Sequence, residues 1–212
     1  HEVQQLLSGG VPAGKIGIIY KENRYGEELS RYFKLLNVPV YSKRHLNMLE
    51  LPEAQKIILV LKYLASEHHI PFSGDEMLFE ILHFEWFGIP SIEIAKLTME
   101  VADKRYNEKK TSIRQLLTEK ANLPAKDLFS NSLHEGLKMA SAIIEKLIAD
   151  VSNTTLQHLF ENIIREAGVL SHIMQSPDKH WQLQILTGLF DYVKDETHRT
   201  PSLNLQGFVN LI

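Results

Sequence analysis

Ile16-Gly17-Ile18-Ile19-Tyr20-Lys21-Glu22-Asn23-Arg24 is a short apolar run that ends on a cation, an amide and a second cation. The run predicts a strand over Ile16 to Tyr20, and the residues after it change period. From Arg24 to Leu36 the apolar positions Leu29, Tyr32, Phe33 and Leu36 recur at helical spacing, with Asn37 as a stop. Val38-Pro39-Val40-Tyr41 then predicts a second short strand. The opening fifth of the chain is therefore expected to be a β-α-β unit. A strand that delivers a cation and an amide just before a helix is a common way to present side chains to a phosphate. Lys21, Asn23 and Arg24 are the candidate phosphate ligands on that ground, against the plainer reading of a solvated turn with Asn23 as helix cap. Two short strands do not close a stable sheet alone, so they are expected to need partners from outside this sequence.

Around that edge the pattern is helical. Upstream, Glu2 to Ser8 predicts a short helix that exits at Gly9-Gly10, with Pro12 and Gly14 setting the turn into the strand. Downstream, Pro52 marks a helix start, and Ile57, Ile58, Leu61 and Leu64 form a stripe running to about Ser66. Further helices are expected over Asp75 to Phe84, Ser91 to Tyr106 and Thr111 to Glu119. The longest is expected from a Ser132 cap through Leu137, Ala140, Ile144, Leu147 and Val151. Others follow from Thr155 to Ala167 ending at Gly168, from Pro177 to Thr197, and from Ser202 onward. No repeat or low-complexity tract interrupts them. The predicted fold class is mainly α, an all-α helical domain over 46–212 preceded by an incomplete β-α-β piece over 1–45.

Composition narrows the function classes. An apolar fraction of 44% with 23% charged residues is that of an ordinary globular chain, which sets disorder aside. A formal charge of −3 argues against coating nucleic acid by net charge and leaves a local basic face as the route to phosphate. The absence of cysteine removes disulfides and thiolate chemistry, and no apolar run approaches a membrane span. A cytoplasmic location and no membrane partner are the expectations. The opening at His1 and the close at Phe208-Val209-Asn210-Leu211-Ile212 are expected to be cuts from a longer protein.

Taken without gaps, Ile16 to Lys62 resembles the motif IV region of UvrD/Rep/PcrA-type superfamily 1 DNA helicases. The family's apolar strand ending in Tyr-Arg-x-Asn corresponds to Tyr20-Lys21-Glu22-Asn23, its helix leucine to Leu29, its Ile-Pro-Tyr turn to Val38-Pro39-Val40, and its Glu-x-x-Glu to Glu50 and Glu53. Ile81-Leu82 through Phe87-Gly88-Ile89-Pro90 to Lys96-Leu97 is similar to the family's Arg-Gly-Ile-Gly turn and following helix. Leu156 through Gly168-Val169-Leu170 to Leu205, Gly207 and Phe208 is similar to the end of the same inserted domain. The resemblance implies the start of the second RecA-like domain (2A) followed by the all-α insertion (2B) of an ATP-dependent helicase in DNA repair or recombination, with 3′ to 5′ polarity. It implies ATP and Mg as cofactors of the full-length parent, with none bound by the segment alone. No Gly-x-x-x-x-Gly-Lys-Ser/Thr loop is present, so the segment is expected to be catalytically inactive by itself. Its implied partners are single-stranded DNA and a duplex junction, the remaining helicase domains, and a nuclease or partner subunit as in the RecB/AddA branch.

The family's γ-phosphate arginine falls on Lys21, which keeps the charge and loses the planar fork; Arg24 stands three residues along, and Asn23 matches the family's Asn. Gly88 and Ile89 match the turn that meets duplex phosphates, but Phe87 replaces its Arg and Pro90 its second Gly. Lys104, Arg105, Lys109 and Lys110 form the densest basic cluster and are the remaining candidate for DNA backbone contact, against a solvated helix end. His68, His69, His172 and His180 raise a metal reading, but adjacent histidines on a helix point about 100° apart, and no metal is expected. Trp86 and Trp181, with Phe84 and Phe87, are read as core rather than base-stacking groups. The competing functional class is a free-standing α-helical protein-interaction module without nucleotide chemistry.

Overall fold

The computed structural model describes residues 2–21, 23–36, 38, 40, 48–107, 111–123 and 133–212, with the side chains at 23, 24, 27, 34, 105 and 107 outside the description. The chain divides into two compact units, His1–Leu46 and Asn47–Ile212.

In the first unit, α1 (Glu2–Ser8) leads through a 3-10 turn at Ala13–Lys15 to residues 16–20, and α2 (Asn23–Leu35) follows. Only the helices of the expected β-α-β piece are seen. Among the described residues there is no β-strand. Ile16 takes an extended backbone (φ −97°, ψ 116°), yet residues 17–20 have no regular structure and Ile19 is 99% exposed. The physical reason is the absence of a partner: a strand is defined by its ladder, and nothing described here supplies one. Val38 turns back instead, its N–H donating to the Phe33 carbonyl at 2.9 Å. Of the other residues of that second predicted strand, Val40 has no regular structure, while Pro39 and Tyr41 lie outside the described residues. Phe33 is the sole buried side chain described in this unit.

The second unit is all helix: α3 (Pro52–His69), α4 (Asp75–Leu82), α5 (Ser91–Asn107), α6 (Ile113–Asn122), α7 (Glu135–Asn153), α8 (Leu156–Glu166), α9 (Val169–Gln175), α10 (Lys179–Arg199) and α11 (Leu205–Leu211). The longest is α10, not the helix begun near Ser132. Ser132 lies outside the described residues, and His134 caps α7, its Nδ1 accepting from the Gly136 N–H at 3.1 Å. Side-chain oxygens of Ser112, Thr155 and Asn204 accept from N–H groups in the first turns of α6, α8 and α11, which gives each start a defined place.

α3 is the axle. It packs against α4, α7, α10 and α11, and it buries Ala54, Ile57, Ile58, Val60, Leu61, Tyr63, Leu64 and Ala65 around most of its circumference. A helix apolar on nearly every side belongs in the middle of a core rather than at its edge. Tyr63, Leu78, Ile94, Leu116, Phe160, Leu189 and Phe208 join one continuous apolar cluster that reaches from Ala54 to Phe208.

Candidate functional site

The phosphate candidates of the first unit sit at a helix entrance. Lys21 occupies an exposed bend, and Asn23 and Arg24 begin α2, their side chains outside the description. The Tyr20 ring folds over the first turn of α2, so closely that a Cβ at Gly26 would collide with it. This closeness fixes where the chain turns at Lys21. Upstream, Gly9 and Gly14-Lys15 have the spacing of a phosphate-cradling loop, but Ile16 stands where that loop needs a hydroxyl. The local order is also reversed. A helix enters and an irregular segment leaves, so no helix N-terminus follows the glycines to receive an anion. Among the described residues, this edge presents Lys15 and Lys21 as cations.

In the second unit the turn at Phe87–Pro90 is internally committed. The Gly88 N–H donates to the Glu85 carbonyl at 3.1 Å, and Gly88 takes a left-handed backbone (φ 60°) that closes a 3-10 turn. Ile89 packs against the core, and a Cβ at Gly136 would lie 3.1 Å from its Cγ1. Glu85 pairs with Lys56 at 2.6 Å, and that hydrogen bond holds its carboxyl below the usual carboxylate range. The Lys56 ammonium also lies over the rings of Phe84 and Trp86. Trp86 is half-buried against Phe84, whereas Trp181 is exposed. Lys104 is exposed on α5, 3.8 Å from Glu100 one turn back. The Arg105 side chain and residues Lys109 and Lys110 lie outside the described residues. Among the described residues no group of three or more His, Asp or Glu side chains converges as a metal site would.

The densest polar chemistry lies inside the helical unit. Glu67, 2% exposed near the end of α3, accepts from the Phe72 and Gly74 backbone N–H groups, both at 2.8 Å. It also accepts from Arg114 Nη1 at 2.7 Å. Arg114 turns its other edge to Glu145 of α7, donating from Nε and Nη2 at 2.7 Å each, and its guanidinium lies 4.9 Å from the Phe72 ring. The fork-on-carboxylate geometry holds Glu145 below the usual carboxylate range and pushes Arg114 further up. Phe72 is held with φ at +66°, a conformation costly for an aromatic residue that two amides bonded to one buried carboxylate impose. Tyr63 stacks beneath Gly74; burial pushes its hydroxyl pKa up and keeps it protonated.

An open cleft of about 810 Å³ lies between α4 and α5, closed by the start of α6. Asp75 joins two of the walls, its Oδ1 accepting from the Ile113 N–H at 2.8 Å. Val101, Thr98 and Ile113 form the floor, Phe79 and Tyr106 the lips, and Glu76 and Glu80 line the α4 side.

No protein-family model and no curated protein matched this chain.

The cleft was missed from sequence, although α5 carries a signal for it. Ile92, Ala95, Met99, Ala102 and Tyr106 recur at alternating steps of three and four, and this second apolar seam is separate from the one made by Ile94, Leu97 and Val101. The second seam is visible only when α5 is treated as having two faces. Among the described residues lining the cleft there is no nucleophile paired to a base.

Proposed function

We propose that this chain is a segment of an ATP-dependent superfamily 1 DNA helicase, carrying the start of the 2A motor domain and the helical 2B insertion. The observation that carries this reading is the apolar segment Ile16–Tyr20, which runs without a ladder and leaves Ile19 at 99% exposure in a unit with a single described buried side chain. Such a segment needs a sheet to join. The ungapped resemblance from Tyr20 to Leu61 supports a RecA-like sheet in that role. A helical unit following directly, with its own core, agrees with an insertion.

In this reading Lys21, and Arg24 beside it, approach the γ-phosphate from the 2A side, while the P-loop and the carboxylates that hold Mg come from other domains of the parent. The segment has no hydrolytic activity of its own. ATP and Mg would supply the driving chemistry in the parent. The chain's residues contribute one positioned cation and a rigid helical body whose swivel sets contacts with DNA or a partner subunit.

The test uses the native gene product: its intact mass and terminal peptides, then ATP hydrolysis with and without single-stranded DNA. DNA-stimulated hydrolysis that falls at least about tenfold in Lys21→Ala supports the reading, because a cation on the transferring phosphoryl group acts on the rate. A native protein ending at these residues and hydrolysing no ATP sinks it. The interaction-module reading would then stand, favoured by the acid-lined cleft.

A further inference from the structure

α5 is apolar over far more of its surface than the core uses. At about 100° per residue, its apolar positions sweep an arc of roughly 220°. Ile94, Leu97 and Val101 face the core and are buried. Ala102, Met99 and Tyr106 continue the arc outward, with Tyr106 at 92% exposure. Apart from Arg105, whose register falls inside the arc, the charges of α5 gather on the remaining side, where Lys96 pairs with Glu93 at 2.6 Å and Glu100 with Lys104 and Lys120. An exposed apolar face this continuous marks a surface made for a partner. The cleft between α4 and α5 opens directly onto it through Ala102 and Tyr106.

Its opposite wall says what kind of partner. Glu76 and Glu80 stand one turn apart on α4, both exposed and both lining the cleft, and neither forms an ion pair among the described residues. Like charges at that spacing repel, so the wall is improved by a cation lying between them. Asp75 stands at the closed end, its Oδ1 taken up by the Ile113 N–H. Even with Arg105, which shares the cleft-side register of α5, carboxylates outnumber cations. Phosphate is disfavoured here by the same count. No strand edge lies among the described residues at the cleft, so an extended peptide has no ladder to join, whereas a two-helix groove accepts a third helix.

We propose that the α4–α5 cleft and the adjoining face of α5 dock a basic amphipathic helix of a partner protein, with apolar residues between Phe79 and Tyr106 and Lys or Arg against Glu76 and Glu80. This site shares no residue with the Lys21 edge, so it stands or falls independently of the helicase reading.

The probe is a dye-labelled helical peptide of about 15 residues with Leu at i, i+3, i+4 and i+7 and Lys on the flanks, followed by anisotropy with the full chain. A control peptide carries Glu in place of every Lys. The Lys peptide is expected to bind and the Glu peptide to bind at least about tenfold more weakly. Glu76→Gln with Glu80→Gln should cost the Lys peptide a similar factor. Ala102→Arg, an exposed change that leaves the core alone, should abolish binding, with helix content by circular dichroism confirming the fold. The proposal is overturned if neither peptide binds, if both bind alike, or if the carboxamide pair binds the Lys peptide as tightly as the parent chain. It is also overturned if sedimentation shows self-association that Ala102→Arg removes, which would assign the face to a second copy.

Discussion

Arg114 is the residue on which the second unit most depends. It satisfies two carboxylates from different helices, and one of them, Glu67, is almost wholly buried. Removing one partner of such a set strands the other, which costs more than the set contributes as a whole. Arg114→Met is therefore expected to lower unfolding free energy by about 3–5 kcal/mol in urea titrations, with Arg114→Lys intermediate, since an ammonium cannot bridge both carboxylates with the same fork. The same contact sets a pH dependence. Glu145 is held below its unfolded value by the hydrogen bonds from Arg114, so its contribution is fully present above the ordinary glutamate pKa of about 4.3. That contribution is lost as pH falls through the lower value Glu145 has in the fold. Stability measured from pH 6 downward should decline across that window, and Glu145→Gln should flatten the decline. None of this was legible in the sequence. Glu67, Arg114 and Glu145 are far apart in the chain and have no motif spacing, and only the packing of α3, α6 and α7 brings them together.

At the element scale the sequence was far more legible, because helix periodicity and caps are local. The expected starts at Glu2, Pro52, Asp75 and Ser91 coincide with those of α1, α3, α4 and α5. Where expectation and structure part, the cause is tertiary or local. Residues 16–20 have strand composition and, among the described residues, no strand partner. α9, over Val169–Gln175, is not among the expected helices. Gly168 shows why the chain can place two helices there. With φ at +79° it ends α8 and opens α9, and a Cβ would sit 3.5 Å from the Trp86 carbonyl oxygen, ordinary contact distance. Space is therefore not the objection to a side chain; the backbone angle is. Gly168→Ala is expected to cost about 1–2 kcal/mol, read as a lower urea midpoint with an unchanged slope. A change in slope would mean instead that the α8–α9 corner had reorganised.

On the scale of the whole molecule, the two units differ in what could keep each of them folded. Residues 1–46 have one described buried side chain, no cysteine for a staple, and an apolar segment open to solvent. A piece of that length is below the size at which a single core ordinarily suffices. Residues 47–212 carry the entire continuous cluster from Ala54 to Phe208 and the Glu67–Arg114–Glu145 set. A chain trimmed to 47–212 should therefore unfold cooperatively, with a free energy within about 1 kcal/mol of the full chain's. The peptide 1–46 should show little helix by circular dichroism, because a 13-residue α2 without a core to lie on is marginal in water. The fate of residues 1–46 inside the full chain then discriminates between the functional readings. Fast amide exchange over residues 16–35 of the full chain, against slow exchange in α3 and α7, is what a segment awaiting the rest of a sheet would show. Equal protection in both units would mean that residues 1–46 are held by contacts within the full chain, and the need for an outside sheet, on which the helicase reading leans, would be gone.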